Sequence, residues 1–176
     1  MGRSRYKFIE TDQPHFMTLT VLHWIPIFTQ QQTVEILLDS LRYLMAEGLK
    51  VYAYVILENH LHLVVQSDDL SKSMESFKKF TAKKILELLK KENIKSILEQ
   101  LAFYKKAHHR DKNYQVWEEG YQPKLLQSDE MMISKIRYIH ENPVKRGYVD
   151  DAKHWRYSSA RDYEGEKGLI GVCRFW

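Results

Sequence analysis

Cysteine is nearly absent from this sequence, because Cys173 is the one cysteine among 176 residues. No internal disulfide can therefore form. No hydrophobic run approaches the roughly 20 residues that a membrane-spanning helix requires. The opening residues Met1 to Arg5 are not followed by an apolar secretion segment. These absences argue against a disulfide-stabilised secreted protein and against a membrane protein or membrane partner, and we expect a soluble cytoplasmic protein.

Charge of one sign is not in large excess. The 27 Lys and Arg residues oppose 23 Asp and Glu residues, which leaves a formal net charge of +4. This balance permits nucleic-acid binding without demanding it. With 44% hydrophobic residues, the chain can bury a substantial core. We expect one domain over residues 1–176, with a core at about 15–143 and a C-terminal tail at about 144–176.

The hydrophobic pattern predicts the element order β-α-β-β-α-β. Alternating stretches indicate strands and apolar residues at helical spacing indicate helices. The predicted strands lie at about 15–24, 49–57, 61–66 and 124–126, and the predicted helices at about 31–47 and from 70 to about 91. Between about 92 and 116 the pattern indicates a short helical stretch and an exposed basic loop. The fold class is therefore predicted to be α+β, with a ferredoxin-like core and an antiparallel sheet.

A further helix is predicted to follow this core. Ser128 is its N-cap, and it is predicted to end at Asn142 because the residue before Pro143 is disfavoured in helical geometry. At about 100° per residue, Tyr138 and Asn142 lie about 40° apart and His140 about 160° from Tyr138. A helical tyrosine usually fills a core or boundary, but this one has an amide one turn away.

Two histidines are predicted to share one face of the third strand. Successive strand residues point to opposite sides, so His60 and His62 lie together while Leu61 and Leu63 face the other way. Neutral imidazole is a good divalent-metal ligand. Two ligands alone do not make a metal site, so two ordinary half-exposed histidines are the alternative.

Several basic residues are candidates for contacts with DNA phosphates. Lysines follow the polar side of the helix from residue 70, where an ordinary solvated face is the alternative. Aromatic residues and arginines alternate in the tail, where they can stack on unpaired bases or simply buttress the last helix. The predicted DNA-binding residues are Lys78, Lys79, Lys83, Lys135, Arg156 and Arg161.

One other histidine pair, His108 and His109, lies in the predicted basic loop. Because adjacent residues diverge in a strand, we interpret this pair as loop residues rather than ligands.

Two motifs together resemble a known family. Residues 54–62 read YVILENHLH, and residues 136–147 read IRYIHENPVKRG. In combination they resemble the single-tyrosine HUH transposases, and most closely the REP-associated tyrosine transposases. The resemblance extends from about Phe16 to Tyr163.

The resemblance implies a fold, an activity and a site. It implies a ferredoxin-like core and a metal-dependent enzyme that cleaves and rejoins single-stranded DNA near hairpins through a 5′-phosphotyrosine. It also implies that Tyr138 is the nucleophile and that His60, His62 and Asn142 bind Mg²⁺ or Mn²⁺. Lys135 is a candidate for helping to ionise the phenol. The expected partner is single-stranded DNA with hairpins, and we expect a monomer rather than a homodimer.

Two other functions remain open at this point. The chain could be a domesticated protein that binds hairpin DNA without cleaving it. It could also be a ferredoxin-like metal-binding or interaction protein with no nucleic-acid partner.

Overall fold

The computed structural model describes residues 12–109 and 111–176. The strands are β1 His15–Thr20, β2 Lys50–Ile56, β3 His60–Gln66 and β4 Lys124–Leu125. The α-helices are α1 Gln31–Ala46, α2 Leu70–Lys91, α3 Lys95–Phe103, α4 Asp129–Lys145 and α5 Ala160–Tyr163, and short 3-10 helices lie at Leu22–Trp24 and Ala152–His154. The opening stretch considered above for a secretion signal lies outside the described residues.

The four strands form one antiparallel sheet in the order β2-β3-β1-β4. β1 is central and pairs with β3 so that Thr18 lies opposite His62. The two residues of β4 pair with the other edge of β1. This order, with α1 and α2 as the two crossover helices, is that of the ferredoxin-like arrangement. The predicted fold class is therefore confirmed.

The helices cover the two faces of the sheet separately. α1 and α2 pack on the face that carries Leu61 and Leu63, and together they enclose the larger hydrophobic core. α4 packs on the opposite face, where Ile136 and Ile139 join the cluster that contains Val64. Burying apolar side chains of this size contributes about 1.5–3 kcal/mol each. The sheet is thus covered on both sides, and α4 lies over the face of His60 and His62.

α4 is longer than predicted. The Ser128 side chain accepts from the Met131 backbone N–H at 3.3 Å, so the predicted cap is confirmed. The predicted end at Asn142 is wrong, because the helix continues through Pro143 to Lys145. Both Asn142 and Pro143 are buried, and packing against the sheet holds them in helical geometry against the local preference.

One other boundary differs from the predicted one. β1 ends at Thr20 rather than near Trp24, because the chain turns into a 3-10 helix at Leu22. The short helical stretch expected after residue 92 is α3, and a long loop follows it.

α2 is amphipathic and rich in lysine on its polar side. Over the ranges the structure describes, we find no helix with both the length and the apolar character to cross a membrane.

Candidate active site

β3 aims two histidine side chains toward α4. His60 and His62 are only 2% and 6% exposed, and their ring centroids lie 4.8 Å apart. Leu61 and Leu63 point into the core on the opposite face. The two imidazoles are therefore held close together on rigid backbone, as the strand period indicates.

Both imidazoles are neutral at pH 7. Burial is the largest influence, and it lowers the pKa of His60 to about 4 and that of His62 to about 3. The positive charge of Arg146 lowers both values further. Each neutral imidazole keeps one ring nitrogen with a free lone pair. The two side chains are thus in the protonation state that a metal ligand requires.

The hydrogen bonds around His60 determine which nitrogen carries that lone pair. The Trp24 carbonyl oxygen accepts from Asn59 Nδ2 at 3.2 Å, and a carbonyl can only accept, so the orientation of the Asn59 amide follows. Asn59 Oδ1 then lies 2.7 Å from His60 Nδ1 and accepts from it. His60 therefore presents the lone pair of Nε2. On the neighbouring strand, Thr18 Oγ1 forms a hydrogen bond of 2.7 Å with His62 Nδ1, in which either atom can be the donor.

Tyr138 lies beside this histidine pair. Its ring centroid is 5.3 Å from that of His62 and 5.8 Å from that of Phe16, and the residue is 38% exposed. Lys135 Nζ lies 5.2 Å from the centroid of the Tyr138 ring and 4.6 Å from that of Phe16. Burial and the nearby Lys124 lower the pKa of Lys135. α4 therefore brings a solvent-accessible phenol and a cation to the two imidazoles.

Asn142 lies one turn after Tyr138 and is part of a short polar chain. Its Oδ1 accepts from Arg146 Nε at 3.1 Å, and Arg146 Nη1 lies 3.2 Å from Glu58 Oε1. A guanidinium only donates, so it orients the amide with Oδ1 toward Arg146 and leaves that oxygen a second lone pair. Glu58 Oε2 is buried and has no hydrogen-bond partner within the described residues.

These side chains offer donor atoms of the kinds that divalent cations bind. Two neutral imidazoles and an amide oxygen form a mixed donor set that suits first-row divalent ions such as Mn²⁺. Arg146 already pairs with Glu58 Oε1, so the unpartnered Oε2 does not by itself require a metal ion. Glu58 lies two residues before His60, and its negative charge raises the pKa of that imidazole. His60, His62 and Asn142 could therefore hold a metal, with Glu58 contributing charge.

His140 points elsewhere, although it lies in the same helix. Its Nε2 is 2.9 Å from Ser159 Oγ, and its ring centroid is 5.0 Å from that of Tyr163. Burial lowers its pKa to about 4. His140 therefore ties α4 to the C-terminal segment and makes its contacts away from the β3 histidines.

The predicted DNA-binding residues do not form one surface. Lys135 lies beside Tyr138, but the three α2 lysines lie on the helix that covers the opposite face of the sheet. The Nζ atom of Lys78 donates to the backbone oxygens of Glu118 and Gly120 at 2.6 and 3.2 Å. That ammonium group is engaged within the protein rather than presented outward.

Two arginines of the tail differ in their availability. Arg156 is exposed. Arg161 is partly buried, and its Nε donates to the Lys153 carbonyl oxygen at 2.9 Å. Of these two, Arg156 has the more accessible charge.

We expect Lys78→Met to alter the pH dependence of stability. Burial lowers the pKa of Lys78 to about 8 from an ordinary value of 10.5. Between these values the unfolded chain binds more protons than the folded one, so stability rises with pH. From pH 7 to pH 9, the free energy of unfolding of the native protein, measured by urea denaturation, should rise by an amount on the order of 1 kcal/mol. The Lys78→Met variant should not show this rise. The exposed neighbour Lys79, changed to Met, is the control, and an equal gain in all three proteins would contradict the assignment.

A second cluster lies in the loop after α3. His108 and His109 both contact Glu119 Oε1, His109 at 2.9 Å, and the ligand atoms lie within 4.8 Å of one another. They are loop residues, as predicted. The two side chains nevertheless converge on one carboxylate, so the prediction that they are not ligands is not supported. Lys106 Nζ is 3.5 Å from the same carboxylate and partly neutralises it. This is a further candidate His/Glu metal site, and sequence spacing alone gives no signal for it.

Four residues around the histidines were not predicted. Glu58 and Asn59 directly precede His60 within the YVILENHLH motif, and Arg146 lies one turn after Asn142, so their spacing could have indicated them. Thr18 could not have been found this way, because only the strand register places it opposite His62.

Comparison with known proteins supports the resemblance. No protein-family model matches this chain. A REP-associated tyrosine transposase of Haemophilus influenzae is 28% identical over 115 residues, which are 65% of this chain and 61% of that relative. The solved structure of a REP-associated tyrosine transposase bound to a REP hairpin has a TM-score of 0.61 at 17% identity, covering 100% of this chain and 94% of that chain.

The fold and the site define a ferredoxin-like domain with a histidine pair beside a helical tyrosine. The matched stretch spans less than two thirds of the Haemophilus influenzae relative, and the structural match establishes the shared fold. The chain is similar in sequence and fold to REP-associated tyrosine transposases, and the resemblance predicted from the two motifs is confirmed.

Proposed function

We propose that this protein is a metal-dependent transposase that cleaves and rejoins single-stranded DNA near hairpins through a 5′-phosphotyrosine. The observation that carries the proposal is the position of Tyr138, whose ring centroid is 5.3 Å from that of the neutral, buried His62. A nucleophile and a metal must meet at one phosphate, and here a phenol and a candidate metal site lie side by side.

His60, His62 and Asn142 would hold Mg²⁺ or Mn²⁺. When bound, such an ion polarises the phosphoryl group and stabilises the charge that develops in the transition state. Asn59 and Thr18 keep the two imidazoles in place by binding their Nδ1 atoms. These residues support the proposal because a site held by rigid strands needs little reorganisation on binding.

Tyr138 would supply the nucleophile. Its phenolic oxygen gives up its proton and attacks the phosphorus, the bond from phosphorus to the 3′ oxygen of the preceding nucleotide breaks, and that oxygen takes up a proton and leaves as a 3′-hydroxyl. The ammonium group of Lys135 lies 5.2 Å from the centroid of the Tyr138 ring and would contribute positive charge beside the attacked phosphate. A new 3′-hydroxyl can reverse the step without ATP, because the ester is exchanged rather than hydrolysed.

The DNA surface that we propose is centred on α4. Lys135 and Lys124 are close enough to influence each other electrostatically, and Arg146 lies near the histidines. Positive charge here would attract the phosphate to be cleaved. The exposed Arg156 can extend the surface, whereas Lys79 and Lys83 could contact only DNA that reaches the opposite face of the sheet. The related structure holds a REP hairpin, which supports a hairpin as this chain's substrate.

One experiment separates the three functions considered. The protein is incubated with Mn²⁺ and a labelled pool of hairpin strands with randomised single-stranded flanks, and the products are run on a denaturing gel. A covalent adduct that EDTA prevents is the expected result. Binding on a native gel without an adduct would indicate a domesticated hairpin-binding protein. The absence of any binding would indicate a metal-binding or interaction protein with no nucleic-acid partner.

We expect the protein to prefer single strands that carry a hairpin over the fully paired duplex of the same sequence. A nucleophile on a helix packed against a sheet reaches a phosphate most easily where the strand bends freely, and aromatic residues offer stacking faces to unpaired bases. Fluorescence anisotropy with both DNA forms measures the preference, and the affinity should fall steeply with added salt. Equal or tighter binding to the plain duplex would contradict the proposal.

A further inference from the structure

The turn after β1 holds two large residues in a backbone conformation that they rarely adopt. His23 and Trp24 have φ values of 54° and 59°, in the left-handed region. Glycine adopts this region without strain, whereas a bulky side chain there is an outlier. Such strain persists only where the surroundings over-determine the conformation, and it is concentrated at functional sites. The contacts around His23 and Trp24 must therefore hold this turn in a strained conformation.

The loop between α3 and β4 supports this turn from one side. The His23 backbone N–H donates to Glu118 Oε1 at 3.0 Å, and the His23 ring stacks on Tyr104 with centroids 3.8 Å apart. The Leu22 backbone N–H donates to the Val116 carbonyl oxygen at 2.8 Å. The loop between α3 and β4, for which the hydrophobic pattern predicted no role, therefore braces the strained turn.

The candidate active site supports the turn from the other side. Asn59 donates to the Trp24 carbonyl oxygen, and the edge-to-face contact between the Trp24 and His60 rings has a centroid distance of 5.3 Å. Trp24 is nevertheless 55% exposed. A tryptophan that served only to pack would bury most of its surface. This one is held at the edge of the histidine pair with much of its surface in solvent.

We propose that Trp24 is a stacking platform for an unpaired base next to the phosphate that Tyr138 attacks. The proposal rests on the function proposed above and names a binding residue for that substrate. Indole is a large aromatic surface, and every base can stack on it, so such a platform suits a single strand regardless of its sequence. The braced turn keeps the ring in place before DNA binds, which reduces the entropy lost on binding.

The test uses two DNA probes and three proteins, the native protein, Trp24→Ala and Trp24→Phe. A hairpin with a single-stranded flank, chosen from the pool that binds the native protein, is compared with the same hairpin cut to a blunt end. Trp24→Ala should weaken binding to the flanked hairpin by about 5- to 150-fold, the effect of losing one base-stacking contact. Trp24→Phe should retain most of the affinity, and the blunt hairpin should bind all three proteins equally. Unchanged affinity of Trp24→Ala for the flanked hairpin, or equal loss on both probes, would overturn the proposal.

Two controls exclude a structural effect. Tyr43→Ala removes another exposed aromatic residue, on α1, and should bind both probes as the native protein does. Tyr104→Ala removes the ring that stacks on His23 and should weaken binding to the flanked hairpin alone, because a loosened turn no longer holds the indole. Loss of flanked-hairpin affinity in Tyr43→Ala to the same extent would overturn the assignment to Trp24.

The two proposals can fail separately. If the native protein forms the adduct but Trp24→Ala binds the flanked hairpin normally, the stacking platform is wrong and the transposase function stands. If no adduct forms and flank binding still depends on Trp24, the platform stands and the cleavage activity is wrong.

Tryptophan fluorescence gives a second measurement of the stacking contact. The flanked hairpin should quench tryptophan emission from the native protein more than from Trp24→Phe. Equal quenching would count against the platform.

Discussion

Tyr138→Phe should abolish the covalent adduct with hairpin DNA and leave hairpin affinity nearly unchanged. The substitution removes the attacking oxygen, while the ring keeps its contacts with His62 and Phe16. Loss of a nucleophile lowers the rate by at least about 10³-fold, below detection on a gel. The adduct assay with Mn²⁺ measures the first effect, and fluorescence anisotropy measures the second.

Other tyrosines provide the controls for this experiment. Tyr148 and Tyr157 lie in the C-terminal segment, and Tyr121 lies in the loop before β4. Changing each to phenylalanine should preserve the adduct. An adduct that survives in Tyr138→Phe and disappears in one of these variants would move the nucleophile to that residue.

Asn142→Ala should weaken Mn²⁺ binding by at least about tenfold and slow cleavage, whereas His140→Ala should do neither. Histidine is the commoner metal ligand, so residue type alone favours His140. The structure places the His140 ring against Ser159 and Tyr163. Asn142 instead lies one turn from Tyr138 and accepts a hydrogen bond from Arg146. The positive charge of Arg146 in turn lowers the pKa of both β3 histidines. Isothermal titration calorimetry with Mn²⁺ measures the difference.

A conservative variant keeps this test informative. Asn142 is buried, so Asn142→Ala could also lower stability, and Asn142→Asp, which retains an oxygen at the same place, should recover most of the metal affinity. His140→Ala should lose about 1 kcal/mol of stability with the hydrogen bond to Ser159. If His140→Ala removes the metal and neither Asn142 variant does, the proposed ligand set is wrong.

Local periodicity determined much of the candidate site. Successive strand side chains alternate, so His60 and His62 had to share a face. A helix turns about 100° per residue, so Tyr138 and Asn142 had to be neighbours and His140 had to point away. These relations follow from backbone dihedral angles and hold wherever the strand or helix is placed. The element order likewise follows from hydrophobic period, and it predicted the ferredoxin-like fold.

The same local reasoning was wrong where packing outweighed it. The preference of the residue before a proline predicted the end of α4 at Asn142, but burial against the sheet carries the helix on to Lys145. The lysine pattern of α2 suggested one basic face, but Lys78 is drawn inward by the carbonyl oxygens of Glu118 and Gly120. His108 and His109 were interpreted as loop residues rather than ligands, but the loop brings both to Glu119.

The fold class, the shared face of His60 and His62 and the phase of Tyr138 on its helix can all be predicted from the order of the amino acids. Three other relations depend on how the elements pack: this face and this helix meet, Thr18 and Asn59 hold the two imidazoles, and the loop after α3 braces Trp24 beside His60. Spacing along a chain encodes which side of an element a residue occupies. Contacts between residues far apart in the chain depend instead on how whole elements pack, and no single stretch of sequence contains that information.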